Sequence, residues 1–278
     1  IESRSSRIIT ILINPFISCS GRLPVYVLLV GIFFPHNASL AFLGLYLLGI
    51  AVAVVTAKLL RRFWFKADET PFVMELPPYR MPTLKASLRH MWSKGEQYLK
   101  KMGGIILLAS IAVWALNYFP LRNEDSSVPT TTETVDDSTI DTSRDSYLEM
   151  IGKAINPVME PLGFHWRSTV AVIAGAPAKE IVVSTLGVLY TGHEEIDNTS
   201  LSSRLVAINP ATGLPYFNAA CALSLMVFVL LYFPCTATVT AIARETGSWW
   251  YSVFSVIYNT MVAWVVAFIV YRIALLLI

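Results

Sequence analysis

Charge is scarce in this chain. Of its 278 residues, 14% are Asp, Glu, Lys or Arg and 55% are hydrophobic, whereas a soluble domain carries about 25% charged residues. With a mean hydropathy of +0.57, that balance excludes a water-soluble globule and leaves a polytopic membrane protein. Cysteine is equally sparse. Cys19, Cys221 and Cys235 are odd in number and all sit in apolar segments, which argues against a disulfide framework. No Gly-x-x-x-x-Gly-Lys-Ser/Thr element occurs, so the sequence offers no phosphate-cradling loop for GTP or ATP. Cys-x-x-Cys, His-Glu-x-x-His and Gly-x-Ser-x-Gly are also missing, and with them the signals of a closed zinc site, a zinc protease and a serine hydrolase. His36, His90, His165 and His193 have no mutual ligand spacing and read as interfacial residues. The net charge of +2 singles out no partner, nucleic acid included.

What the chain has is uncharged length. Ala38 to Ala57, Met102 to Leu121 and Trp249 to Tyr271 carry no charge, and each reaches the roughly 20 residues a helix needs to cross about 30 Å of hydrocarbon. Three further spans are interrupted: about Ile8 to Phe34 at Asn14-Pro15 and Arg22-Leu23-Pro24, about Ser168 to Tyr190 at Pro177 and Lys179-Glu180, and about Tyr216 to Ala243 at Pro234. The expected fold is an all-α bundle of about six crossings, three of them broken at proline.

Loop charge orients it. Lys58 to Lys101 holds ten Lys or Arg against four acids, and Pro120 to Met150 two Arg against eight acids. The positive-inside rule places the first segment in the cytoplasm and the second outside, with both ends of the chain cytoplasmic. Leu84, Leu88, Met91, Trp92, Tyr98 and Leu99 recur at helical spacing opposite Lys85, Arg89, Lys94, Lys100 and Lys101, the pattern of a basic amphipathic helix lying on the membrane surface. Pro71 to Pro82 reads as a stiff connector and Asn123 to Ser146 as a flexible, polar external loop. Trp249-Trp250-Tyr251 fits an aromatic belt at the membrane boundary. The implied organisation is a broken helix with a second span over 1–66, a connector with the interfacial helix over 67–101, a span over 102–121, an acidic loop over 122–150, and a second broken-helix region over 151–278. The chain opens on Ile1 with no visible cleavable signal peptide, which points to a fragment.

The chemistry concentrates at the breaks. A proline inside a spanning helix removes a backbone hydrogen bond, and in hydrocarbon each freed carbonyl must find another partner. Transporters use such unwound backbone to hold ions near the bilayer midplane. Cys19 lies between Ser18 and Ser20 just after the first break, and Cys235 between Pro234 and Thr236 at the last. Both are candidate metal ligands or pore-lining thiols, whereas Cys221 in Ala219-Ala220-Cys221-Ala222 reads as a packed hydrophobe. Lys179-Glu180 falls near the middle of the fourth span, and an intramembrane charge is a functional candidate by default. Glu180 is either an oxygen ligand or the ion-pair partner of Arg22.

Four segments together resemble the membrane domain of the bacterial ferrous iron transport protein B (FeoB) family: Asn14-Pro15-Phe16-Ile17-Ser18-Cys19-Ser20-Gly21-Arg22-Leu23-Pro24-Val25-Tyr26, Pro71-Phe72-Val73-Met74-Glu75-Leu76-Pro77-Pro78-Tyr79-Arg80, Ala178-Lys179-Glu180 and Leu231-Tyr232-Phe233-Pro234-Cys235-Thr236-Ala237-Thr238. The resemblance runs from about Arg7 to Arg272. It implies Fe(II) as transported substrate, a bacterial inner-membrane location, and Cys19 and Cys235 in two gate regions of an iron path. It also implies GTP and Mg handled only by an N-terminal GTPase domain outside this chain. Small cytoplasmic Feo accessory proteins and a homo-oligomer are the further partners it allows. Two departures stand out: Pro177 replaces a usual small residue, and the Asn123 to Ser146 loop is longer and more acidic. Two other classes remain open, a gate-type nucleoside or small-solute carrier and a non-transporting membrane scaffold.

Overall fold

The computed structural model describes residues 4–63, 83–96, 147–176, 179–191 and 217–277, together with 111, 115 and 205. The expected span Met102 to Leu121 apart from 111 and 115, the Pro71 to Pro82 connector, the Asn123 to Ser146 loop, Pro177 and His193 lie outside these residues.

The described residues form helices and turns. α1 (Arg4–Ile13) ends where Asn14-Pro15 begins; Asn14–Phe16 and Ser20–Arg22 are 3-10 turns, and α2 (Leu23–Phe33) starts with Pro24 in its first turn, where the missing N–H costs nothing. After a turn at Pro35–Asn37, α3 runs unbroken over Ala38–Phe63. Its last turn carries Arg61 and Arg62, opposite in sign to the helix C-terminal dipole. α4 covers residues 84–96. The remaining helices are α5 (Tyr147–Met159), α6 (Trp166–Ala174), α7 (Ile181–Thr191), α8 (Ala219–Leu231), α9 (Thr236–Thr246) and α10 (Trp249–Leu277).

Three stretches are long and apolar enough to cross a membrane among the described residues: Ser5–Phe33, which contains the turns at Asn14–Phe16 and Ser20–Arg22, Pro35–Phe63 and Trp249–Leu276. The other helices differ in kind. α6, α7, α8 and α9 have 9, 11, 13 and 11 residues, so each extends only about 14 to 20 Å.

α8 is the centre of the bundle. Ala220, Cys221, Ala222 and every residue from Ser224 to Leu231 are buried, as a helix that is apolar all round must be. Asn218 starts it by accepting a hydrogen bond from the Cys221 backbone N–H at 2.6 Å, an N-cap. Pro234 ends it: the residue before a proline is pushed out of helical conformation, and Tyr232 is already extended, with ψ 172°. α10 packs along α8. Its inward face carries Ser252, Ser255, Asn259, Ala263 and Ala267, all buried, whereas Val253, Ile257, Met261, Val265, Ile269 and Ile273 recur every fourth residue on an exposed face. Leu40, Leu43, Leu47, Ile50, Val54 and Val55 make a similar outer surface on α3. Such faces suit lipid rather than water.

On α4 the expected apolar residues Leu84, Leu88, Met91 and Trp92 are all exposed. Tyr98 to Lys101 lie outside the described residues.

Candidate functional site

Three interruptions of the α-helices approach one another: Asn14 to Arg22 between α1 and α2, Gly175-Ala176 with Lys179-Glu180 between α6 and α7, and Tyr232 to Cys235 between α8 and α9. Gly175 shows how closely two of them pack. A methyl group there would collide with Val182 and come 3.1 Å from the Tyr232 hydroxyl. Tyr232 also donates a hydrogen bond from that hydroxyl to the Val172 carbonyl at 3.3 Å, tying the α8 break to the end of α6. In the same way Gly49 of α3 leaves room for the Phe16 carbonyl, which a methyl would meet at 3.0 Å.

The freed carbonyls have specific owners. At the first break, Arg22 donates to the Pro15 carbonyl at 2.6 Å and the Ile17 carbonyl at 2.8 Å, while Asn14 O takes the Ile17 N–H at 3.1 Å. At the last, Lys179 Nζ donates to the Val229 carbonyl at 3.1 Å and the Tyr232 carbonyl at 3.3 Å, with the Tyr232 ring centroid 4.5 Å away. Both cations are buried, Arg22 at 2% and Lys179 at 5% exposure. Each break therefore carries a buried cation on the oxygens that the missing helical N–H groups leave behind.

This arrangement revises two expectations. The carbonyls beside the thiols are not all open ligands, since four of them are held by Arg22 and Lys179. The guanidinium of Arg22 is also committed to backbone oxygen rather than to the carboxylate of Glu180. Glu180 is exposed, and its Oε2 lies 3.8 Å from where a methyl on Gly21 would sit, beside the Cys19-Ser20 turn. Lys179, the less prominent half of the pair in the sequence, is the one turned inward.

The two thiols occupy unlike positions. Cys19 is exposed and Cys235 half-buried; Cys235 follows the two carbonyls that Lys179 holds, and Cys19 stands two residues before Gly21, against which Glu180 lies. Cys235 precedes the first turn of α9, where its carbonyl accepts from the Thr238 and Val239 N–H groups, and its Sγ lies 3.1 Å from the Thr238 hydroxyl. Ser20 is exposed, and Ser18 and Thr236 are half-buried. The Ser18 hydroxyl, the Tyr26 hydroxyl and Arg22 Nε are buried with no hydrogen-bond partner among the described residues. Cys221 fits its structural reading: it is 4% exposed, and its thiol donates to the Gly163 carbonyl at 3.0 Å. Among the described residues no group of three or more His, Cys, Asp or Glu side chains gathers into a metal cage. Of the histidines, His165 stands at the start of α6 against Trp166, and burial together with Arg167 lowers its pKa below the usual imidazole value.

Sequence reasoning misses three contributors, Tyr232, Thr238 and the carbonyl-binding role of Lys179. Thr238 was accessible, because a hydroxyl three residues after a residue at a helix start is placed to meet its side chain. Tyr232 and Lys179 act across 60 and about 50 residues of chain and leave no local signal.

A family model described as nucleoside recognition, the Gate family, matches residues 99–249, more than half of the chain, and includes Lys179, Glu180 and Cys235. The chain belongs to the Gate family. A second model, the ferrous iron transport protein B C terminus, matches residues 42–94. The chain is 46% identical over 298 aligned residues, 99% of its own length, to an Fe(2+) transport protein A/Fe(2+) transporter FeoB fusion protein of Porphyromonas gingivalis. It is 36% identical over 98% of its length to an Fe(2+) transporter FeoB of Staphylococcus aureus, and 35% identical over its whole length to one of Campylobacter jejuni. It spans 35%, 37% and 43% of those relatives, so it corresponds to the FeoB membrane region and to less than half of each polypeptide. Cys19 and Arg22 fall outside both matched models but inside these alignments. No solved structure matches the chain significantly.

Proposed function

We propose that this Gate-family chain is the permeation part of a ferrous iron transporter of the bacterial inner membrane, and that Fe(II) passes between the breaks bearing Cys19 and Cys235. The observation that carries this reading is the meeting of both thiol-bearing breaks at the Lys179-Glu180 pair, Lys179 holding the carbonyls just before Cys235 and Glu180 lying beside Gly21 in the turn of Cys19, within a chain whose relatives bear the name Fe(2+) transporter. Fe(II) accepts thiolate and oxygen ligands, and the two thiols, the hydroxyls of Ser18, Ser20 and Thr236 and the Glu180 carboxylate would offer it donors one after another along a path rather than in a single cage. Loose binding suits an ion that must leave as readily as it enters. Coupling to GTP hydrolysis, with its Mg, belongs to a domain outside this chain, and Feo accessory proteins act from the cytoplasm.

Vesicles containing the complete polypeptide should take up Fe(II) against protein-free controls when supplied with GTP. Uptake of a labelled nucleoside instead would favour the second reading, which rests on the nucleoside-recognition description of the Gate family. That reading is the weaker one, because a base and ribose need convergent hydrogen-bonding side chains where these breaks present thiols.

In the same proposal six crossings traverse the bilayer, with α1–α2, α6–α7 and α8–α9 each pairing two half-helices around a break, and both chain ends are cytoplasmic. A single cysteine introduced by Ser138→Cys into a complete protein whose native cysteines have been replaced should then react with an impermeant thiol reagent in intact cells. Labelling only after the inner membrane is opened reverses the orientation.

A further inference from the structure

Arg22 and Lys179 meet the same need by different means. Arg22 reaches carbonyls five and seven residues away in its own turn, with the two arms of a planar fork, so it braces the first break locally. Lys179 reaches carbonyls 50 and 53 residues away on another element. It does so with a compact ammonium on a flexible stem. Withdrawal of the Lys179 side chain would break bonds only to another element, whereas withdrawal of Arg22 would strip its own turn.

The surroundings of the Lys179 ammonium are those of a bound cation. Its partners are two backbone carbonyl oxygens and an aromatic face, neutral groups that attract positive charge without specifying its carrier. Val229 and Tyr232 stand three residues apart at the end of α8, where unwinding turns their oxygens to one point. Cys235 follows three residues later, and the electrostatic neighbours of the ammonium are the Arg22 guanidinium first and then the Cys19 and Cys235 thiols. Among the described residues the hydrogen bonds and ring contact of the Lys179 ammonium go to neutral dipoles, which compensate its lost hydration incompletely, so an ion bringing more charge to the same oxygens competes well.

We propose that the Val229 and Tyr232 carbonyls, with the Cys235 thiol beside them, form a small-cation site that Lys179 closes as a tethered cation, and that a permeating ion displaces the ammonium. The inference rests on the transport reading above. It adds a coordination position made of backbone oxygen, and a reason for the pathway to be shut at rest.

The test uses the complete polypeptide in proteoliposomes without nucleotide, following influx of thallium(I) and, under reducing conditions, of Fe(II). Lys179→Met and Lys179→Gln should raise thallium(I) influx by about tenfold or more, a barrier change of roughly 1.4 kcal/mol per factor of ten, while Lys179→Arg stays within about twofold of the parent. Gln retains an amide donor for one carbonyl, which guards against a folding failure in the Met variant. Parental leak in a Gln variant that melts with the parent overturns the proposal. A second measurement needs no variant: Mn(II) should increase labelling of Lys179 by a water-soluble amine reagent severalfold in the parental protein, and unchanged labelling also overturns it. Thallium(I) leak without Fe(II) leak upholds the plug and counts against iron as the substrate. Nucleotide-dependent Fe(II) uptake by the parent, with no leak in the variants, upholds iron transport and removes the plug.

Discussion

Replacing either gate cysteine by serine is expected to lower Fe(II) uptake by about tenfold or more in vesicles carrying the complete transporter, the scale on which altered metal surroundings change activity. Serine keeps the size and much of the polarity of cysteine but removes the soft sulfur donor that Fe(II) accepts. The two positions should differ in detail. Cys235 is half-buried with the Thr238 hydroxyl 3.1 Å from its sulfur, so Cys235→Ser preserves a local hydrogen bond and its loss of transport reports on the donor atom alone. Cys19 is exposed, so Cys19→Ser should leave stability untouched. Cys221→Ser is the control: its thiol donates to the Gly163 carbonyl inside the core, a bond serine can also make, and uptake should stay near the parental rate. Parental uptake by both gate variants would make these cysteines packing residues and remove the metal path as drawn.

The largest stability effect is expected at Arg22. Its two charge-assisted hydrogen bonds hold the Pro15 and Ile17 carbonyls at a point where α1 has ended and α2 has not begun. Hydrogen bonds to charged groups contribute about 1.5 to 3 kcal/mol each, so Arg22→Met should cost roughly 3 to 6 kcal/mol and lower the thermal midpoint in detergent by many degrees. Arg22→Lys should recover part of this, because one ammonium lacks the two-armed geometry that meets both oxygens. A midpoint unchanged in Arg22→Met would mean that the carbonyls have other partners and that the brace is incidental. The effect is predicted for folding rather than for the iron path, which separates it from the cysteine variants.

The parts legible in the sequence are those set by local composition. α3 and α10 coincide with two uncharged runs because spanning length is a count of consecutive apolar residues. The ends of α1 and α8 follow from Pro15 and Pro234, since proline removes a donor and constrains its predecessor wherever it stands. α5 escapes such reading: Lys153, Asn156 and Pro157 interrupt its apolar pattern, and its packing against α6 supplies the stability that its own sequence does not advertise.

By itself the sequence determined that this protein lives in a membrane, that its helices break near Cys19 and Cys235, and that Arg22 and Lys179-Glu180 put charge inside otherwise apolar stretches. Tertiary structure decided what that charge does. Adjacent residues on a turn point in different directions, so Lys179 turns into the core and Glu180 out of it, a distinction that spacing does not encode. The oxygens freed at the α8 break gain their partner from a turn some 50 residues earlier. Backbone chemistry requires that freed carbonyls be satisfied in hydrocarbon, but only the packing of one broken helix against another settles which side chain arrives to satisfy them.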